Sequence, residues 1–299
     1  MSDMKNTVMT EKDITKVSSK QKATKILVQV GLYFFLGIMA FIVLFPFYWM
    51  IISSLKTVTE YNWLKPSLFP HKFTGKGYVE AFKVANLLDL FGNTLYVGVI
   101  STILSLIITV LSAFAFARLE FKGKNVLFAI LLATMMIPGE LFTVTNFQTI
   151  MKWEWRYTYR VLIIPFLVSV FYIYLLKQNF MQIPNELYLA AKIDGTTDLK
   201  YLWKVMIPLA LPTLISITIL KMMGSWNTYM WPNLVANDEE HMLITVGIRH
   251  AQFVDEATNQ TNFPAQMAAV TIVSAPLFMV FIFLRKYIMK GVSRSGIKG

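Results

Sequence analysis

The chain has 299 residues, of which 56% are hydrophobic and only 15% are charged, and its mean hydropathy is +0.54. This composition excludes an ordinary soluble domain and is typical of an integral membrane protein. The chain contains no cysteine, which excludes disulfides, thiolate catalysis and cysteine-ligated metal sites.

Six membrane-spanning helices are predicted from the apolar runs, so the expected fold class is all-α integral membrane. Three charge-free runs each exceed the roughly 20 residues that cross a bilayer as a helix; they are Ile26–Leu55, Leu90–Ala117 and Ala257–Leu284. Three further runs are shorter or carry a single charge; they are 126–151 (interrupted by Glu140), 161–176 and 205–235 (interrupted by Lys221).

In chain order, the sequence predicts a polar N-terminal tail (1–25), the first spanning helix (26–55), an outer loop (56–89), a transmembrane core (90–285) and a basic C-terminal tail (286–299). The first outer loop is expected to contain a short helix near Tyr78–Ala85. Within the core, a second outer loop covers residues 236–265. The pair Pro138-Gly139 predicts a kink or break in the third spanning helix.

The basic residues predict the orientation of these helices. Most of the 28 lysines and arginines fall in segments that are cytoplasmic if both termini are cytoplasmic, as the positive-inside rule requires. The formal net charge of +11 is therefore attributed to topology and lipid headgroups. Nucleic-acid binding is not expected, because no basic stripe with interleaved aromatics lies outside the membrane flanks. The apolar run after Lys25 is too long for a cleavable signal, so it is expected to remain as the first helix.

Residues 178–208, called the insert below, form a charged amphipathic segment between two apolar runs. The pattern predicts a helix that ends at Gly195, and a second short helix capped by Thr197 or Asp198. The second helix is expected to present one face and to stop at Pro208; that face comprises Leu199, Leu202, Trp203 and Met206. A helix pair of this kind at a membrane surface is suited to being gripped by another protein.

The insert resembles the EAA loop of permease subunits of binding-protein-dependent ATP-binding-cassette importers. The matching positions, on that family's spacing, are Ala190-Ala191, Gly195, Val205, Ile207 and Pro208. Other segments resemble the carbohydrate branch, of the maltose and multiple-sugar type, in particular; they are Ile193-Asp194-Gly195, Gly224-Ser225-Trp226-Asn227 with Trp231-Pro232, Met136 to Gly139, and the ending from Arg285 to Gly299. Leu189 stands where the family has its glutamate, and Glu186, three residues earlier, shares that helix face.

The resemblance implies a MetI-like bundle of six helices, multi-pass in the bacterial cytoplasmic membrane, that forms half of a heterodimeric pore with a second permease. It also implies two copies of a cytoplasmic ATPase, an extracytoplasmic solute-binding protein, and no cofactor or metal in this chain, since ATP binds to the partner. The residues implied to couple to the ATPase are Glu186, Leu189, Ala190, Ala191, Asp194, Gly195, Ile207 and Pro208. The C-terminal residues Ser295, Lys298 and Gly299 are either an ATPase contact or a positive-inside anchor.

Glu140 and Lys221 are isolated charges inside spanning segments, and such charges usually face a polar cavity or each other. One or both are candidates to line the substrate path, together with Asn146, Gln148, Ser225, Trp226 and Asn227. Alternatively, Glu140 lies at the outer interface, Lys221 pairs with the second permease, and Trp226 packs within the bundle. Lys221 also suits an acidic saccharide.

Three other classes are less consistent with the sequence. A secondary transporter would need paired intramembrane acids and a duplicated bundle, but only Glu140 is available. An enzyme is not expected, because His71, His241 and His250 form no metal pair and no nucleophile has a nearby base. An enzyme that hydrolysed ATP, in particular, would carry a phosphate-binding glycine loop, which is absent. A passive channel would not need the insert.

Overall fold

The computed structural model describes residues 19–255 and 259–293, and it places side chains for residues 24–255 and 259–285. The polar tail up to residue 18 and the predicted tail contacts Ser295, Lys298 and Gly299 lie outside the described residues. The described chain is almost entirely helical, with one short antiparallel hairpin in which Val254 pairs with Thr261.

The first half of the chain forms α1 (Ser19–Ser54), α2 (Val58–Tyr61), α3 (Lys76–Val84), α4 (Leu87–Arg118), α5 (Lys124–Thr134), a 3-10 turn (Gly139–Phe142) and α6 (Thr143–Lys152). The middle forms α7 (Tyr159–Ile163), a 3-10 turn (Ile164–Phe166), α8 (Val170–Met181), α9 (Asn185–Ile193), α10 (Asp198–Tyr201), a π-helical turn (Leu202–Met206) and α11 (Ile207–Leu209). The remainder forms α12 (Leu211–Asn227), α13 (Met230–Val235), α14 (Ile244–His250), β1 (Val254–Asp255), β2 (Gln260–Thr261) and α15 (Phe263–Ser293).

Three helices are long and apolar enough to cross a membrane, and three bent helix pairs bring the total to six. The long segments are Thr24–Ser54, Leu87–Arg118 and Phe263–Arg285; the pairs bend by 83° after Thr134, by 45° after Phe166 and by 81° after Leu209. This confirms the predicted fold class. The break predicted at Pro138-Gly139 and the short helix near Tyr78–Ala85 are also confirmed.

The last helix begins at Phe263. Asn262 sets this start, because its side-chain Oδ1 accepts a hydrogen bond from the main-chain N of Ala265 at 3.0 Å, in the manner of a helix N-cap. The residues just before it, Gln260 and Thr261, are held in the hairpin.

Helix α4 is the centre of the bundle, and α8 and α12 pack along it. Lipid tails are as apolar as the side chains, so the hydrophobic effect does not drive helices together inside a membrane. Their packing relies instead on small residues that let helices approach closely. Gly98 is one of these, since a Cβ there would come 3.0 Å from the Met222 sulfur of α12. Ser101, on the same face, lies 3.3 Å from Ser225 of α12, oxygen to oxygen.

Helix α1 lies at the edge of the bundle, and its described part packs chiefly along α15. Phe47 and Phe278 mark this contact, with ring centroids 5.2 Å apart. Most of the remaining α1 side chains are exposed and apolar, for example Leu27 and Phe34. In a membrane this surface faces lipid or another subunit.

A buried arginine joins the end of α4 to the start of the insert. The Arg118 guanidinium, 9% exposed, donates from Nη2 to the main-chain oxygens of Phe180 at 2.9 Å and Ile183 at 2.5 Å. Phe180 is in the last turn of α8 and Ile183 lies just beyond it, where carbonyls lack the next turn's N–H donors; the Phe180 oxygen also accepts from the main-chain N of Ile183 at 3.2 Å. Arg118 therefore ties the end of α8 to the central helix.

Replacing Arg118 with methionine is expected to lower the thermal unfolding midpoint in detergent, because the Ile183 carbonyl loses its described donor and the Phe180 carbonyl keeps only the main-chain N of Ile183. The expected loss is about 2 kcal/mol in the free energy of unfolding. Arg160→Met is the matched control, since Arg160 is exposed. Equal effects of the two substitutions would contradict the role given to Arg118.

A second buried polar group, the carboxylate of Glu60, stabilises the segment between α1 and α3. Glu60 is 3% exposed, and its Oε1 accepts from the main-chain N of His71 at 2.9 Å and from Ser67 Oγ at 2.7 Å. Burial alone would raise the pKa of Glu60. Its hydrogen bonds from His71, Ser67 and the Lys72 main chain outweigh burial and lower the pKa from 4.5 to about 2.

Because the pKa of Glu60 is depressed on folding, the stability it contributes is fully present above about pH 4.5 and is lost as the pH falls towards about 2. The difference in unfolding midpoint between the wild type and Glu60→Gln is therefore expected to be largest near neutral pH and to shrink through this window. Glu154→Gln, at an exposed position, is the control. A difference that does not change with pH would contradict this account.

Candidate functional site

The turn of the insert is closed by Gly195, whose φ of +69° lies in the left-handed region. Its main-chain N donates to Lys192 O at 3.1 Å, and the N of Thr196 donates to Ala191 O at 2.8 Å. These two bonds form a Schellman motif that ends α9, as glycine at this position predicts. Thr197 then caps α10, because its side chain accepts from the main-chain N of Lys200.

One carboxylate ties the two helices of the insert together. Asp198 Oδ1 accepts a hydrogen bond from Tyr188 Oη at 2.8 Å and lies 2.7 Å from Lys192 Nζ. The hydrogen bond to Asp198 raises the pKa of Lys192, and burial with the same acceptor raises the pKa of Tyr188. The Tyr188 ring also packs against Tyr201, 5.2 Å between centroids. The turn is therefore held by side chains as well as by its main chain.

The second helix of the insert ends at Leu209, one residue beyond the stop predicted at Pro208. The chain continues from α10 through the π-helical turn into α11, and it bends only at Ala210, between Leu209 and Leu211. A proline lacks the main-chain N–H that would bond to the carbonyl four residues earlier. A wider π-helical turn, Leu202–Met206, lies just before Pro208, and Pro208 occupies the last turn before the helix ends at Leu209.

The predicted face of this helix is also divided between two environments. Leu202 and Met206 are fully buried, together with Tyr201, in a cluster that includes Phe114 and Phe180. Leu199 and Trp203 point outwards, 59% and 64% exposed. The inward side chains anchor the insert to the membrane helices, and the outward ones remain available to a partner.

An apolar surface covers the tip of the insert; its exposed large side chains are Leu187, Leu189, Ile193, Leu199 and Trp203. Among the predicted coupling residues, Glu186, Leu189, Ala190, Asp194, Gly195 and Pro208 are exposed, whereas Ala191 and Ile207 pack partly against the buried cluster. Glu186 and Leu189 thus lie together on the exposed part of α9.

A cavity of about 340 Å³ opens among α4, α7, α8, α12 and α13. It lies away from the insert, further along α12. Its polar lining comes from Ser101, Ser169, Tyr172, Lys221, Ser225 and Thr228, and its apolar lining includes Val97, Leu162, Phe166, Trp231 and Leu243.

Lys221 is partly buried and lines this cavity from the middle of α12. Its Nζ donates a 2.6 Å hydrogen bond to the main-chain oxygen of Phe166. That oxygen is available because the helix is interrupted between Phe166 and Val170, where the pair of helices bends by 45°. Lys221 and Ser225 are the two predicted path residues that the structure brings together.

The other path candidates lie elsewhere. Glu140, Asn146 and Gln148 are exposed, beyond the 83° bend that separates them from α5. Asn227 is exposed and donates from Nδ2 to Met223 O at 2.8 Å. Trp226 is buried, and its indole N–H donates to Val273 O at 3.3 Å, so it occupies the packing position given as its alternative.

Several lining groups were not predicted from the sequence. These groups are the hydroxyl of Ser101 on α4, the carbonyl of Phe166 and the hydroxyl of Ser169 at the break between α7 and α8, and the hydroxyl of Thr228 at the end of α12. Ser101 could have been identified from the sequence, because four hydroxyl residues recur at helical spacing along one side of α4; they are Thr94, Ser101, Ser105 and Thr109. The Phe166 carbonyl could not have been found, because it depends on a helix break.

Comparisons with known proteins agree with this architecture. A family model described as "Binding-protein-dependent transport system inner membrane component" matches residues 105–294. The arabinooligosaccharides transport system permease protein of Halalkalibacterium halodurans is 30% identical, over 87% of this chain and 93% of that protein. The trehalose/maltose transport system permease protein of Thermococcus litoralis is also 30% identical, over 88% and 94%. A chain in the crystal structure of a bacterial ABC transporter involved in the import of the acidic polysaccharide alginate superposes with a TM-score of 0.80, at 25% identity, over 90% of this chain and 98% of that one.

The turn at Gly195 gives a direct test of the insert's geometry. A Cβ at Gly195 would meet nothing within 4 Å, so only the left-handed backbone restricts substitution. Gly195→Asn is expected to keep the turn, whereas Gly195→Val should cost about 1–2 kcal/mol, since β-branched residues disfavour this region. Limited proteolysis within residues 193–198 measures the difference. Equal cleavage of the two variants would contradict the geometry.

Proposed function

This chain belongs to the family of binding-protein-dependent transport system inner membrane components, and we propose that it is the permease subunit of an ATP-driven importer of a sugar or oligosaccharide. The single observation that carries this proposal is the structure of the insert. Its root (Tyr201, Leu202 and Met206) is buried against the membrane helices, and its apolar tip is exposed. The family match and the relatives named above support it. Members of this family are membrane transport components rather than enzymes.

The relatives support a saccharide as the substrate. Those named above are permeases for arabinooligosaccharides and for trehalose or maltose, and the solved transporter imports alginate. Each aligns with this chain over nearly its whole length, so the likeness covers the spanning helices and the insert together. The lining of the cavity suits such a substrate, because it combines hydroxyl groups with aromatic and aliphatic side chains.

The proposed assembly follows the way family members work in general, with a second permease, an ATPase and a solute-binding protein. We propose a heterodimer with the second permease, two ATPase copies on the cytoplasmic side, and the binding protein on the opposite face. The chain itself would bind no cofactor, since ATP is held by the partner. The C-terminal residues Ser295, Lys298 and Gly299 remain a proposed ATPase contact.

The insert is the proposed ATPase dock, so it and both termini would be cytoplasmic, in a multi-pass protein of the bacterial cytoplasmic membrane. Helix-in-groove recognition needs an apolar stripe on an exposed helix, which Leu189, Leu199 and Trp203 provide. The family's glutamate is replaced by Leu189. Glu186 is exposed on the same helix and would supply the carboxylate from nearly one turn earlier.

Closure of the ATPases on ATP would then move the membrane helices through the root of the insert. Tyr201, Leu202 and Met206 are fully buried between α4, α8 and α12. Packed cores transmit displacement as rigid bodies because they deform little. The proposed substrate path follows Lys221 and Ser225 in the cavity. Glu140, Asn146, Gln148 and Asn227 lie on exposed surface that would face the second permease.

A matched pair of tryptophans tests the dock. Trp203, at the tip of the insert, is 64% exposed, and Trp153, in the loop after α6, is 57% exposed. In the assembled transporter, Trp203→Ala is expected to weaken ATPase binding by roughly tenfold or more, because exposed aromatic anchors dominate such interfaces. Trp153→Ala should leave it unchanged. The measurement is the fraction of ATPase that co-purifies with the permeases in mild detergent as its concentration is varied.

Sugar-dependent ATP hydrolysis in proteoliposomes provides the second readout. Trp203→Ala should lower it in proportion to the lost ATPase, and added ATPase should restore it. An assembly in which Trp203→Ala and Trp153→Ala behave alike would contradict the proposed dock. A chain that drives uptake without any ATPase would contradict the proposed function.

A further inference from the structure

The charge of the cavity is unbalanced. Lys221 contributes one positive charge, and none of its described lining residues is an aspartate, a glutamate or a second cation. The ammonium contacts a neutral partner, the Phe166 main-chain oxygen at 2.6 Å. A partly buried ammonium without a counter-charge is costly inside a membrane protein, and such residues usually serve an ion or a substrate.

Lys221 also retains donor capacity. An ammonium group has three N–H donors and no acceptor. The bond to Phe166 uses one of them and fixes the position of Nζ at the helix break. The remaining donors are free to be directed into the cavity, where Ser225 and Ser169 lie in the same lining.

The rest of the cavity suits a sugar ring. Its volume of about 340 Å³ is within the range of roughly 300–1,000 Å³ that holds small molecules. Hydroxyls from Ser101, Tyr172 and Thr228 can both donate to and accept from sugar hydroxyls. Trp231 adds an apolar aromatic wall, and its indole N–H is already satisfied by Val161 O at 3.0 Å.

We infer that this cavity binds the carboxylate of an anionic saccharide, a uronate unit, with Lys221 as the counter-charge and the surrounding hydroxyls as partners for the ring. The inference rests on the proposed function and narrows its substrate class. One ammonium among neutral hydroxyls matches a single negative charge. A phosphate dianion would call for more than one cationic partner or an arginine fork.

The test uses the complete permease pair in detergent, without the binding protein, so that the pair alone sets the preference. The probes are digalacturonate, its neutral dimethyl ester and galactose 6-phosphate, and binding is measured by isothermal titration calorimetry for the wild type, Lys221→Met and Lys221→Arg. The wild type is expected to prefer digalacturonate to the ester by roughly tenfold, the size of one charged hydrogen bond. Lys221→Met should abolish that preference while still binding the ester, and Lys221→Arg should keep it.

Three results would overturn the inference. Equal binding of acid and ester by the wild type would show that Lys221 is paired elsewhere, for instance with the second permease. A preference for galactose 6-phosphate over digalacturonate would show that the cavity binds a phosphate rather than a carboxylate. If Lys221→Met bound digalacturonate and its ester equally weakly and also had a lower unfolding midpoint, the role of Lys221 would be only to stabilise the helix break after Phe166. ATP-driven uptake of a neutral sugar alongside any of these results would leave the proposed function intact, whereas the absence of all ATP-driven uptake would remove both.

Discussion

Tyr201, Leu202 and Met206 are fully buried against α4 and α8, and this packing fixes the insert to the membrane helices. Burial of Leu202 and of Met206 stabilises the contact by about 1.5–3 kcal/mol each where the side chain is removed from water. Arg118 adds a polar link from α4 to the carbonyls of Phe180 and Ile183. Without this root, the exposed tip would be a loose loop, and force applied to it would not reach the bundle.

The root also connects the two ends of the proposed mechanism. The helical run that begins at Asp198 bends by 81° at the buried Ala210 and continues directly as α12. Helix α12 then carries Lys221 and Ser225 into the cavity, and Ser225 meets Ser101 of α4. A displacement of the insert would therefore pass along one continuous stretch of chain to the place where substrate is proposed to bind.

Sequence reasoning succeeded where one residue dictates the local backbone. Gly195 predicted the turn that its φ of +69° confirms, and Pro138-Gly139 predicted the break after α5. The predictions that were wrong concern side chains whose burial is decided by tertiary packing rather than by the local sequence. The face predicted for the second helix of the insert was divided, because Leu202 and Met206 are buried against the membrane helices while Leu199 and Trp203 are exposed. The bond of Lys221 to Phe166 joins residues far apart in sequence through a broken helix, which no local pattern encodes.

The most direct test of the rigid root uses the absence of native cysteine, which allows spin labels at two chosen positions. Labels at Lys200→Cys on α10, which is outside the proposed apolar dock, and at Leu111→Cys on α4 both occupy exposed sites. Double electron–electron resonance on the assembled transporter should give one narrow distance that is the same without nucleotide and with ATP bound. A broad distribution, or a distance that changes when ATP binds, would show that the insert moves independently of the bundle and would contradict the account.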